Sequence, residues 1–216
     1  MRWCLCFRKP GSGHMDENER LEKLLRQANE IYLEIGRFIV TYEHLMKWVR
    51  DGIYFSPARA VGSDDHVTEQ AQTYARLAKC TPENVLDEFL ELASKCAVAT
   101  PEGMKLVREL VGATKALNEE RNAAVHNTWM VGYASTEDPD FSTVSGFRHA
   151  RKKGGVKFEA THKTAAEFAS LTERAKELIR QCKAASVCAS MGKPFEAHLK
   201  FDDEGKVVTH SGTFPA

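Results

Sequence analysis

The chain has 216 residues, 30 Lys+Arg balanced by 30 Asp+Glu to a formal charge of zero, and a hydrophobic fraction of 43%. That mixture suits a folded globular domain and excludes collagen-like and wholly disordered chains. It also excludes a protein that holds nucleic acid by bulk charge, so any polyanion site must be a local basic patch.

Taken in chain order, the fold is expected to begin after residue 15. Met1–Pro10 is followed by Gly11-Ser12-Gly13-His14-Met15, and residues 1–15 read as an expression tag and linker outside the fold. The apolar run at residues 3–7 is too short for a secretory signal. From Asp16 to about Arg50, Leu21, Leu24, Leu25, Ala28, Ile31, Tyr32, Ile35, Phe38, Ile39, Tyr42, Leu45, Met46 and Val49 recur in steps of three and four. The spacing predicts one long amphipathic helix with a single buried stripe, ended by Gly52. Tyr32, Tyr42 and Trp48 read as core on it, and His44 as a surface residue. Ser56-Pro57 and Gly62–Asp65 read as loop.

A shorter helix is expected from about His66 to Lys79. Thr81-Pro82-Glu83 and Thr100-Pro101-Glu102 each open another, with Thr capping free amides, Pro in the first turn and Glu at the positive end of the dipole. The second of these carries Leu106, Val107, Leu110, Val111, Thr114 and Leu117 on one side and should reach about His126. Thr128–Tyr133 and Gly155–Ala160 are rich in β-formers, which predicts a β-hairpin or short meander over about 128–161. Thr164-x-x-Glu167 is a capping box for a helix lasting to about Ala189. The tail, 192–216, is expected to hold a weak hairpin at His198–Thr209 around Asp203-Glu204-Gly205. The expected fold is therefore mainly α, a bundle of four to five helices over 16–191 with a β-hairpin inserted before the last long helix. Strands and helices do not alternate and no Gly-rich phosphate loop occurs, so Rossmann and P-loop folds are excluded. No apolar run reaches the ~18 residues of a membrane span.

Metal and thiol chemistry finds little footing. Cys80, Cys96, Cys182 and Cys188 form no Cys-x-x-Cys pair and no zinc-finger spacing with His, so they read as buried free thiols in a reducing cytoplasm. Glu159-x-x-His162 is the only Glu-x-x-His, where a di-iron bundle needs two.

One segment stands apart. Asn118-Glu119-Glu120-Arg121-Asn122-Ala123-Ala124-Val125-His126-Asn127 closes the helix that begins at Pro101. Asn122 and His126, four apart, share a helix face, whereas Arg121 and His126 diverge by about 140°. Two copies facing each other across a two-fold axis would bring Arg and His together better than one chain does. Arg121 also continues the Leu110–Thr114–Leu117 line, which aims it at an interface. A purely structural reading also exists, in which Arg121 and His126 serve the helix end and Asn122 and Asn127 act as caps.

Arg121-Asn122-x-x-x-His126 resembles the Arg–polar–x–x–x–His signature of HEPN-domain ribonucleases, all-α bundles that dimerise and cut RNA without a metal. The order of elements is similar to that family over about residues 16–189, while the motif covers six residues. The resemblance implies a metal-independent endoribonuclease with no cofactor, acting as a homodimer on RNA. His126 would be general base or acid, Arg121 would hold the phosphate, and Asn122 would orient one or the other. It further implies a cytoplasmic toxin or antiphage defence or stress effector, with an antitoxin or regulatory protein as a further partner. The alternative is a catalytically inactive HEPN-like module for dimerisation or for binding RNA or protein.

A second feature suits an RNA partner. No acidic residue lies between Asp140 and Glu159, where Arg148, Arg151, Lys152, Lys153 and Lys157 add five positive charges, with His149 among them. On a hairpin beside the motif they are expected to form a basic strip, the other reading being a solvated loop. Phe147 suits either base stacking or the core.

Overall fold

The computed structural model describes residues 17–55, 66–131, 140–152 and 155–210; the expected tag at 1–15 lies outside them. Five helices occur among the described residues: α1 (Glu17–Tyr54), α2 (His66–Leu77), α3 (Pro82–Ser94), α4 (Pro101–His126) and α5 (Ala165–Met191). Strands β1 (Thr128–Val131), β2 (Thr143–Lys152) and β3 (Gly155–Thr164) form an antiparallel sheet in that order, and β4 (Leu199–Phe201) pairs with β5 (Val207–Thr209). The protein is mainly helical with small antiparallel sheets.

The caps form as their sequences predict. Thr81 Oγ1 accepts from Asn84 N at 3.3 Å and Thr100 Oγ1 from Gly103 N at 3.0 Å, each satisfying a donor the helix leaves open. At α5 the Thr164 amide donates to Glu167 Oε2 at 2.7 Å, and the Glu167 amide donates to Thr164 Oγ1 at 3.2 Å. These bonds from Thr164 hold the Glu167 carboxyl below its ordinary range.

α1 extends for 38 residues, about 57 Å at the helical rise. Its core line is Leu24, Ile31, Ile35, Phe38, Tyr42, Leu45, Met46, Val49 and Ile53. Two expectations fail here. Gly52 lies inside the helix, and the chain continues helically to Tyr54. Its missing side chain is filled by neighbours, since a Cβ there would lie 2.9 Å from Phe89 Cε2 of α3 and closer still to Ser186 Oγ of α5. Glycine is required for close approach, not for a stop. The buried stripe is also narrower than expected, because Leu21, Leu25 and Tyr32 are each more than half exposed.

α1 and α5 lie side by side and run in the same direction. Ser186 Oγ reaches Trp48 O near their C-terminal ends, while Gln27 accepts from Phe141 N close to Thr143, the β2 partner of Thr164. α4 runs antiparallel to both, with its Thr114 beside Cys182 and its C-terminal neighbour Trp129 against Phe168. Burial pushes the Cys182 thiol up to about 12 and that of Cys188 up to about 11, so both stay protonated at neutral pH.

Of the two expected forms the insertion takes the meander, with three strands, and its middle strand carries most of the basic segment. The inner face packs Trp129, Val131 and Val144 towards the helices. The Trp129 indole donates to Ala124 O at 2.8 Å and meets Phe168 edge-on at 5.4 Å. Gly146 pairs opposite Trp129, and a Cβ there would sit 2.8 Å from Trp129 Cε3, so the indole lies over bare backbone. The tail joins the same core, with Phe195, Leu199 and Val207 buried and Gln181 Nε2 donating to Val207 O at 2.6 Å.

Candidate active site at the end of helix α4

The last turns of α4 press against the middle of α1. Tyr42, fully buried, donates its hydroxyl to Asn118 Oδ1 at 2.8 Å, and Asn118 is itself 1% exposed. Burial raises the Tyr42 phenol well above its ordinary range, against the opposing pull of Arg121. The phenol is therefore a fixed donor and not a proton carrier at physiological pH.

Arg121 lies one turn further on. Its guanidinium sits 5.8 Å from the Tyr42 ring centroid, its Nη2 contacts Glu43 Oε1 at 2.6 Å, and its Nη1 donates to Asn122 Oδ1 at 3.3 Å. The ring face and the carboxylate both favour the cation. The expected interface is thus found within the chain: Arg121 faces α1. Its side chain is only 23% exposed, against 45% for Glu43.

His126, at the end of α4, is exposed, and its imidazole makes no hydrogen bond to another described residue. Arg121 and Asn122 are brought together; His126 points elsewhere, as the five-residue spacing implies. His44 is exposed on α1, as expected. Two buried polar atoms at this end of α4 lack a partner among the described residues: Arg121 Nε and Asn127 Oδ1. Buried donors and acceptors are rarely left so, and orphans mark places where a water or ligand completes the set. Asn127 does cap α4, but through its backbone, which donates to Ala123 O at 3.0 Å.

The basic strip needs correction. Register places Arg148 opposite Glu159, and Arg148 Nε and Nη2 reach Glu159 Oε2 at 2.9 and 2.8 Å. The carboxylate that ended the acid-free run along the sequence is folded back onto its first Arg. For Arg151, Lys152 and Lys157 only the backbone pairing is described, and Lys153 lies outside the described residues. One cation not expected at the site, Lys163 of β3, pairs with Glu120 at 3.1 Å and ties the sheet to α4.

Sequence reasoning missed Glu43 and Asn118. Neither carries a local signal, because their roles follow from which faces of α1 and α4 meet. Among the described residues no group of three His, Cys, Asp or Glu side chains is placed to hold a metal, and no helix is long and apolar enough to cross a membrane.

The half-buried Arg121 guanidinium can grip an anion and the exposed His126 imidazole can exchange a proton, but within one chain the two diverge around the helix. Phosphate-bearing ligands would have to displace Glu43 from Nη2. Comparison with known proteins found no matching family model, no similar curated protein and no similar solved structure.

Proposed function

We propose that this protein is a metal-independent endoribonuclease of HEPN type, working as a homodimer and serving as a cytoplasmic toxin or a defence or stress effector. The observation that carries the reading is the end of α4, where Arg121, held against α1 with its Nε unpartnered among the described residues, stands five residues before the exposed His126. In the reaction the RNA 2′-OH attacks the adjacent phosphorus, the O2′–P bond forms and the P–O5′ bond breaks. The products are a 2′,3′-cyclic phosphate and a 5′-OH. The proton leaving O2′ goes to a base and the departing O5′ takes one from an acid, His126 filling one of these roles. Arg121 offsets charge on the phosphoryl oxygens with a fork that Lys does not reproduce.

The dimer supplies the convergence that one chain lacks. Leu21, Leu25 and Tyr32, exposed on α1 and within about 40° of one another around the helix, offer apolar surface for a second copy. Arg121→Ala and His126→Ala should each abolish cleavage and stay folded. If the two residues act across the two-fold, mixing the two inactive proteins restores activity, because one composite site then keeps both groups.

The competing reading is a non-catalytic HEPN-like module for dimerisation or for binding RNA or protein. One observation favours it: Glu43 already occupies the Arg121 nitrogen that a phosphate would need. That module predicts that neither substitution changes function.

A further inference from the structure

The β4–β5 hairpin, α4 and α5 together enclose a cleft of about 500 Å³, within the roughly 300–1,000 Å³ of small-molecule sites. Leu110 and Ala113 of α4, Leu178 of α5 and Val207 of β5 give it an apolar lining. The hairpin wall is fixed by its own turn. Asp202 Oδ1 accepts from the amides of Glu204 at 3.0 Å and Lys206 at 2.8 Å, and Gly205 takes the left-handed φ of 76° that the turn needs.

Much of the charge on this lining is neutralised within the chain. Glu177 accepts from Arg180 Nε at 2.9 Å and from Gln181 Nε2 at 3.0 Å, and Lys206 Nζ donates to Glu204 at 2.6 Å. Arg174 and Glu109, both exposed and both lining the cleft, make no hydrogen bond or ion pair among the described residues. Gln181 is only 4% exposed. Its Nε2 serves Glu177 and Val207 O, while its Oε1 accepts from no donor among the described residues, an uncommon state for a buried side chain.

These groups are ordered along the cleft. Arg174 precedes Gln181 by seven residues, about 10 Å along α5 on nearly the same face. α4 runs antiparallel with Thr114 beside Cys182, so Glu109 lies beyond Gln181, away from Arg174. The cleft therefore presents a cation towards one end, apolar walls between, and two acceptors towards the other.

We propose that this cleft is a binding site for a small amphipathic aromatic anion. Arg174 takes its oxyanion group, the ring system lies along Leu110, Leu178 and Val207, and an N–H at the far end donates to Gln181 Oε1. The site is separate from the phosphate grip: Ala113 precedes Arg121 by eight residues, about 12 Å along α4.

The test uses the full chain and the fluorescent probe toluidinonaphthalenesulfonate in the isomer with N–H and sulfonate at opposite ends of the naphthalene, whose emission rises in apolar surroundings. Arg174→Glu reverses the cation at a position where nothing in the chain depends on it. Lys176→Glu makes the same change of net charge on α5 outside the cleft. Expected is saturable binding to the parent, a loss of affinity of roughly 10- to 150-fold in Arg174→Glu, and near-parental affinity in Lys176→Glu, with urea midpoints showing both variants folded. Arg174→Gln, which only removes the charge, gives the same reading if Arg174→Glu does not fold. Absence of saturable binding by the parent overturns the site. Equal losses in the Arg174 and Lys176 variants also overturn it, assigning the effect to bulk charge. Affinity unchanged in the Arg174 variants overturns it too, leaving an adventitious additive only, held on exposed apolar surface such as Leu21 and Leu25.

Discussion

Replacing Gly52 by Ala tests the packing that brings α1, α3 and α5 together. In an ordinary helix interior the change is stabilising by about 1 kcal/mol, because Ala gives up less backbone freedom. Here the new methyl would lie 2.9 Å from Phe89 Cε2 and closer to Ser186 Oγ. The Ser186 hydroxyl can rotate away, but Phe89 is 3% exposed and its ring has nowhere to move. Overpacking of this kind costs about 1–3 kcal/mol, so the net expectation is a destabilisation of about 1 kcal/mol. In urea denaturation the midpoint should fall by roughly 0.5 M with an unchanged slope. Adding Ser186→Ala removes one of the two clashes and should recover part of the loss. A Gly52→Ala protein at least as stable as its parent, with no further effect of Ser186→Ala, would refute the close approach.

Three further outcomes follow from the same contacts. Tyr42→Phe leaves the buried Asn118 Oδ1 without its donor and should lower stability by about 1–3 kcal/mol in urea, a value below about 0.5 kcal/mol contradicting the bond. Glu196 accepts from Thr100 at the start of α4; burial raises its carboxyl pKa, but the bond from Thr100 and the nearby amides of Glu196 and Gly103 outweigh that and leave it lowered. A carboxylate with lowered folded pKa stabilises above its unfolded value, near 4.3, and loses that contribution as pH falls through the folded value. Glu196→Gln should thus be less stable than the parent at pH 7, by about 0.5–1 kcal/mol in urea denaturation, and converge with it below pH ~4; a constant gap down to pH 3 would rule out the charge. Glu43→Gln frees Arg121 from its carboxylate at a stability change within about 1 kcal/mol, and initial-rate assays on RNA should show faster cleavage. A slower rate would mean that Glu43 serves the reaction.

What could be read from the sequence was local. The Thr-Pro-Glu openings, the Thr164–Glu167 box and the line from Leu24 to Val49 depend on residues a turn apart, and each folds as its spacing predicts. What escaped was set by distant neighbours. Gly52 looks like a helix stop until Phe89 and Ser186 are placed against it. β2, with Gly146 and a run of basic residues, lacks strand-like hydrophobic alternation, and only the Trp129 indole explains its glycine. Tyr32 has helical spacing but sits off the core line, so it is exposed. At the site, Arg121, Asn122 and His126 were evident as a motif, whereas Glu43 and Asn118 became visible only when α1 met α4. Arg148 counted as free charge until register set Glu159 across from it.

The central claim is tested most directly by the ends of the RNA it leaves. The full chain, incubated with total RNA and tRNA in EDTA beside His126→Ala, should yield fragments with 2′,3′-cyclic phosphate and 5′-OH termini, and none from the variant. Intact RNA in both samples, or equal fragments in both, would contradict it.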